Sequence, residues 1–302
     1  MSGVLDGKAA IVTGAGQGLG RAYAIALANA GAAVVVNDVN EATAAETVDA
    51  IVSAGGRATA VVAPVGSSET AQQLVDTARA EFGRLDVVVS NAGVLRDRVL
   101  WKMSDEDFDV VVTTHLRGSF TLGRAAAIAM KEQGEGGRII LIGSPAGQFG
   151  SFGQTNYASV KAGLVAMART WSLELARDRI TANAVIPTAL TAMTATIPIY
   201  QPYFEAFERG EPLPDKLRKG HALGTPEDVA PLVVWLASDL AAEVTGQAIG
   251  LGGDRLTVYA HPSVAAVEDV DGGWSVERID EAWRARLHEH AQPSGPTFAP
   301  LD

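Results

Sequence analysis

An α/β architecture, in which a doubly wound and mostly seven-stranded parallel sheet carries helices on both faces, follows from three features of the chain. Short β-branched runs alternate with longer Ala-rich stretches of helical period. The apolar runs are almost unbroken, as strands buried on both faces require, and the first of them enters a glycine-rich turn that opens a helix. In order, the elements are KAAIVT and a helix over 18–30, AAVVVN and 41–54, ATAVVA and 68–82, LDVVVS and 104–132, RIILIG and 154–177, then ITANAVI and a long insertion. Ser104, three residues ahead of Asp107 and just before FDVVV, marks an ordinary helix start. No repeat of fixed period is present, which excludes a solenoid.

Two regions break the rhythm. Residues 188–225 are rich in proline and aromatics and follow a late strand, where a doubly wound sheet places elements that cover a ligand. They read as a substrate lid or as a surface insertion. From about residue 255 the composition changes to LTVYA, a turn-forming DGG, and the helix-like WSVERIDEAWRARL, in which Val276, Ile279, Trp283 and Leu287 recur at helical spacing. That apolar face is expected to pack on a second subunit or on its own domain. The resulting division is a nucleotide-binding catalytic domain over 1–255, with the lid at 188–225, and an extension over 256–302.

The 302 residues, 47% hydrophobic and 20% charged, suffice for one large domain with a full core. A formal net charge of −11 argues against nucleic acid and against anionic membrane surfaces as partners. Zero cysteines exclude disulfides and thiolate chemistry, and the five histidines (His115, His221, His261, His288, His290) lack metal-binding spacing, so no metal is expected. The amino-terminal MSGVLDGKAAIVTG has neither a charged start nor a long apolar run, and a soluble cytoplasmic protein is the expectation.

Chemistry concentrates at four places. In Thr13-Gly14-Ala15-Gly16-Gln17-Gly18-Leu19-Gly20, glycines allow close backbone approach while the helix start offers N–H groups to a pyrophosphate. Gly14, Gln17, Gly18, Leu19 and Gly20 are therefore expected to hold a dinucleotide in a Rossmann arrangement. Asp38 ends the second strand, where a carboxylate binds the adenosine ribose hydroxyls and repels a 2′-phosphate; neither Gln17 nor Val39 supplies a cation. NAD is thus expected over NADP, with simple turn capping as the alternative for Asp38. Asn91, Ala92 and Gly93 follow the fourth strand on the ligand side of the sheet. Tyr157 and Lys161 sit at i, i+4 on one helical face, downstream of Ser144. An ammonium so placed can draw a phenol from ~10 towards neutrality, about 4 kcal/mol for three units, and make it a general acid/base.

Together TGAGQGLG, NAG, Ser144, YASVK and Asp38 resemble the short-chain dehydrogenase/reductase family over roughly residues 5–255. Within it, the segments over 84–165 are similar to the 3-hydroxyacyl-CoA dehydrogenase domain of peroxisomal multifunctional enzyme type 2, also called 17β-hydroxysteroid dehydrogenase type 4. The resemblance implies that Tyr157 takes the hydroxyl proton, Lys161 lowers its pKa and binds the nicotinamide ribose, and Ser144 holds the substrate oxygen. It places His115 where most of the family has a relay asparagine. That histidine is expected either to relay protons and bend the acid side of the pH–rate profile or to serve structure alone. Pro64 replaces a family aspartate, leaving the Val65 backbone for adenine, and Pro187-Thr188 leaves Thr188 or Thr191 for the carboxamide.

The implied reaction is NAD-dependent oxidation of a 3-hydroxyacyl-CoA, fatty-acyl or sterol-derived, by a homodimer or homotetramer built through helices 104–132 and 154–177. Alternatives are a free 17β-hydroxysteroid, a 3-oxoacyl chain on acyl carrier protein, or a non-catalytic NAD-binding module. Arg96, Arg98 and Lys102, and in the lid Lys216, Arg218 and Lys219, are either cations for coenzyme A phosphates or solvated charges. Ile197, Ile199, Tyr200, Tyr203, Phe204 and Phe207 are expected to give the lid an apolar ligand face.

Overall fold

The alternating runs fold into strands β1 (Ala9–Thr13), β2 (Ala33–Asp38), β3 (Arg57–Val62), β4 (Val87–Ser90), β5 (Gly137–Ile142), β6 (Ile180–Pro187), β7 (Ala248–Gly252) and β8 (Arg255–Tyr259). They form one sheet in the order β3-β2-β1-β4-β5-β6-β7-β8. Neighbours from β3 through β7 are parallel, and β8 adds antiparallel to β7. The computed structural model describes residues 3–191, 194, 197 and 199–295; residues 192, 193, 195, 196 and 198 of the expected lid and 296–302 of the extension lie outside the described residues.

Side-chain alternation along the strands explains the two-sided core. Ala10, Val12, Val34, Val36, Val87, Val89, Ile140 and Ile142 point to one face, under α1 (Gly18–Asn29), α2 (Glu41–Ser53) and α9 (Pro226–Ala237). Ile11, Val35, Val88, Ile139 and Leu141 point to the other, under α3 (Ser68–Phe82), α5 (Gly118–Gln133) and α7 (Thr155–Glu174). Each such Val, Ile or Leu side chain contributes about 1.5–3 kcal/mol on burial, so the sheet is held from both sides.

Three departures from the sequence reading bear on the site. The expected helix over 104–132 is α4 (Asp105–Val111), capped by Ser104 through Asp107 N–H at 3.1 Å, and then α5, with a π-helical turn at Val112–Arg117 between them. A π turn inserts one residue per turn and redirects side chains, here that of His115. The LTVYA segment joins the sheet as an eighth strand because β7 otherwise presents an unpaired edge. In the extension, α10 (Val276–Ala285) buries only Ala282, while Val276, Ile279 and Trp283 stay exposed. Within the single chain its apolar face is uncovered. Among the described residues, no helix is long and apolar enough to cross a membrane.

Candidate active site

The strand order reverses direction between β1 and β4, and the carboxyl ends on either side of that point define the ligand crevice. The turn after β1 is shaped by contact. Gly14 has φ +61°, and a Cβ there would lie 2.8 Å from the Ala92 Cα; one on Gly20 would lie 2.0 Å from the Gly14 carbonyl. Thr13 Oγ1 accepts the N–H groups of Asn91 (3.0 Å) and Ala92 (3.1 Å), while Asn91 Nδ2 donates back to the carbonyls of Thr13 (2.9 Å) and Gly14 (3.1 Å). Asn91 is therefore a clamp between the β1 and β4 turns, and Thr13 is its partner, which the sequence reading missed. At Gln17 and Gly18, α1 begins with no side-chain cap and no acidic residue in its first turn. Its N–H groups remain available to an anion.

Asp38 spends its carboxylate on the backbone: Oδ2 accepts from Gly16 N–H at 2.9 Å and Oδ1 from Asn40 N–H at 3.0 Å. It organises the turn and retains acceptor capacity toward the crevice, because each oxygen has a second lone pair. Val65 lies over the head of α5, its Cγ2 3.1 Å from where a Gly118 Cβ would be. Thr188 is tied into the sheet through Leu251 and Gly224, whereas the Thr191 methyl stands 3.9 Å from a Cβ placed on Gly18. Of the two, Thr191 is the one beside the dinucleotide turn.

On α7, Asn156 is fully buried and donates to the carbonyls of Arg96 and Asp107, each at 3.0 Å, while accepting from Tyr157 N–H at 2.7 Å. It fixes the helix start that presents Tyr157, and nothing in the spacing of the sequence pointed to it. Lys161, only 3% exposed, donates from Nζ to the Ile142 carbonyl at 2.5 Å and lies 5.4 Å from the centre of the Tyr157 ring. Ser144 Oγ accepts from Ala146 N–H at 3.2 Å and hydrogen-bonds the Tyr157 phenol.

Burial dominates the electrostatics. It drives the Lys161 ammonium down to about 7. Burial also pushes the Tyr157 phenol up to about 12, against the opposing Ser144 hydrogen bond and with the Asp97 charge adding to the rise. The expected fall of Tyr157 towards neutrality is thus not found in the free protein. The reason is burial of the phenol first and the Asp97 charge second, while Lys161 directs its hydrogen bond to the Ile142 carbonyl.

His115 is 2% exposed, edge-on to Tyr157 at 5.4 Å, and packed so tightly that a Cβ on Gly93 would lie 2.3 Å from its Cε1. Its Nε2 contacts both the N–H (3.0 Å) and the carbonyl (2.9 Å) of Val94, and Nδ1 has no partner among the described residues. Burial, then the Lys161 charge, lowers its pKa to about 3. Burial thus favours the neutral imidazole in the free protein, which argues against a bend in the acid limb from its titration.

The cation groups divide. Arg218 is bound to Asp228 (2.8 Å) and Asp254 (2.7 Å), and Lys219 to Asp215 (2.6 Å), so these two lid cations are engaged in ion pairs. Arg96, Arg98 and Lys102 are exposed; Arg96 donates to the Leu95 carbonyl at 2.7 Å, and Arg98 donates to the Asp97 carbonyl at 2.8 Å with the Asp107 carboxylate 4.0 Å away. The lid aromatics divide as well. Tyr200 is buried with Leu190, Leu217 and Leu223, and Tyr203, Phe204 and Phe207 pack against that cluster. They form the lid's own core, which leaves Ile197 and Ile199 exposed. Phe204 and Phe207, in α8 (Gln201–Glu208), also face a cleft of roughly 820 Å³ against α1 and α9.

A Ser–Tyr–Lys set beside an open glycine turn, on a doubly wound sheet, defines an oxidoreductase that works with a nicotinamide cofactor. The chain belongs to the short-chain dehydrogenase/reductase family: the family described as Enoyl-(Acyl carrier protein) reductase matches residues 14–253. It is 41% identical over 280 residues to Hydroxyacyl-CoA dehydrogenase ChsB1 of Mycobacterium tuberculosis, covering 89% of this chain and 84% of that one. It is also 41% identical over 250 residues to the Peroxisomal multifunctional enzyme type 2 of Mus musculus, covering 80% of this chain and 31% of that longer protein. A solved short chain dehydrogenase from Mycobacterium avium matches with TM-score 0.84 and 36% identity, over 99% of this chain and 100% of that one.

Proposed function

We propose that the protein oxidises 3-hydroxyacyl-CoA esters to 3-oxoacyl-CoA with NAD. The observation that carries this reading is the convergence of Ser144, Tyr157 and Lys161 at the ligand end of the sheet, next to a turn whose acidic residue is Asp38. The residues fit a dinucleotide: the α1 start is uncapped, and Lys161 uses one of its three protons on Ile142, leaving donors for a ribose. A bound nicotinamide supplies the acceptor for the hydride that leaves carbon 3.

Ser144 donates to the alcohol oxygen and orients it towards the Tyr157 Oη. Tyr157 takes the hydroxyl proton as the C–H electron pair departs, so one proton and one hydride leave and a carbonyl forms. Because burial holds the free phenol near 12, ionisation needs the positive charges of the filled site, with Lys161 as the resident one. His115 holds the Val94 backbone in place beside the phenol. Arg96, Arg98 and Lys102 are the cations assigned to the coenzyme A phosphates. Exposed Phe120 and Ile128 on α5 and Leu173 on α7 support self-association into a dimer or tetramer.

The test is NAD reduction, followed by absorbance, with a 3-hydroxyacyl-CoA and with a free 17β-hydroxysteroid, for the wild type and Tyr157→Phe. Turnover of the thioester alone, lost in the variant, is expected. Turnover of only the steroid would replace the substrate class, and dinucleotide binding without any turnover would favour a binding module.

A further inference from the structure

At Gly295 the extension lies against the segment that carries Ser144. Beyond α10 the chain returns, and Gly295 N–H donates to the Phe149 carbonyl at 2.7 Å. Tyr259, the last residue of β8, meets the Phe149 ring with centroids 6.0 Å apart. Phe149 closes α6 (Ala146–Phe149), whose first N–H bonds Ser144 Oγ at 3.2 Å. The same short helix lies flush on α7, since a Cβ on Gly147 would stand 2.6 Å from both the Lys161 carbonyl carbon and the Ala162 nitrogen.

A helix of one turn cannot hold itself, because nucleation fixes several dihedrals for a single hydrogen bond. Glycines at 150 (φ +78°) and 153 (φ +78°) leave the following loop further freedom. External anchors therefore decide where α6 sits. Tyr259 is itself anchored, packed on the sheet core with Cε2 3.1 Å from where a Gly250 Cβ would be.

We infer that the C-terminal extension is a working part of the substrate site: Tyr259 and Gly295 are positioning residues that fix α6, and through it Ser144, for the alcohol oxygen. The inference rests on the role proposed for Ser144. Neither residue touches the dinucleotide turn, so the effect falls on substrate and spares the cofactor.

Gly295→Pro deletes the donated N–H, and Tyr259→Leu removes the ring contact while keeping apolar bulk on the sheet. In each variant KM for the 3-hydroxyacyl thioester is expected to rise and kcat to fall, kcat/KM dropping roughly five- to tenfold, with NAD affinity by fluorescence titration and Tm nearly unchanged. Backbone amides over 146–152 of the free protein are expected to exchange faster with deuterium. Unchanged exchange overturns the inference, and so does faster exchange with an unaltered kcat/KM. Should the wild type turn over no hydroxyacyl thioester, the proposed function falls, while amide exchange still decides whether the extension holds this segment.

Discussion

The Lys161 ammonium lies 5.4 Å from the centre of the Tyr157 ring and gives its hydrogen bond to the Ile142 carbonyl at 2.5 Å. The pair is thus poised with the charge held back at the end of β5, close enough to act on the phenol once a ligand occupies the crevice.

The burial of that ammonium makes a prediction about stability. Its pKa falls from 10.5 to about 7, so between those values the unfolded chain binds a proton that the folded one does not. Stability therefore rises with pH across that window, and the full cost, on the order of a few kcal/mol, is present below pH ~7. Lys161→Met removes the charge but orphans the Ile142 carbonyl, so a net gain of about 1–3 kcal/mol is expected at pH 6. Thermal melts at pH 6 and pH 9 should show a flatter pH dependence in the variant, together with turnover at least ~100-fold lower. A variant less stable than wild type at pH 6 would refute the account.

His115 titrates with the same sign, in a lower window. Its folded value of about 3 lies below the unfolded one of 6.5, so stability is lost as pH falls from 6.5 towards 3. His115→Asn should flatten that loss by on the order of a few kcal/mol, measured as Tm against pH between 3.5 and 6.5. It should leave the apparent pKa of the acid limb of kcat/KM where it is. Movement of that limb would show that the imidazole titrates during turnover.

The sheet, its order of elements and the grouping of Ser144, Tyr157 and Lys161 were legible because each has a local signature: unbroken β-branched strands, a glycine turn at a strand's end, a helical i, i+4 pair. What stayed illegible depends on long-range contact. Asn156 reads as any polar residue until the carbonyls of Arg96 and Asp107 are brought to it. Arg218 looks like a phosphate cation until Asp228 and Asp254 close on it from α9 and from the turn after β7. The aromatic run of the lid reads as a ligand face, although a short insertion must first bury a core of its own.

With Arg218 and Lys219 of the lid paired, the proposed binding of coenzyme A phosphates rests on the exposed loop after β4. Replacing Arg96, Arg98 and Lys102 together by alanine is expected to raise KM for a coenzyme A thioester roughly tenfold, about 1.4 kcal/mol, without changing kcat. A pantetheine thioester, which lacks the nucleotide phosphates, should show no change. The wild-type preference for the coenzyme A ester should also shrink as salt rises, since these charges are solvent-screened. Equal losses with both thioesters would place the effect in the acyl site.

Asp38 joins two roles that one substitution can separate. As a carboxylate it accepts from Gly16 and Asn40, and in the proposed NAD complex it would repel a 2′-phosphate. Asp38→Asn keeps one acceptor for the backbone and removes the charge. Losing the second acceptor should cost about 1 kcal/mol in unfolding free energy. Losing the charge should lower the NAD-to-NADP ratio of kcat/KM at least tenfold, roughly 1.4 kcal/mol in the difference of transition-state free energies. The two effects are read separately, by denaturant melts and by steady-state kinetics with each cofactor. A destabilised variant with an unchanged ratio would reduce Asp38 to a turn cap and leave the cofactor preference to other residues.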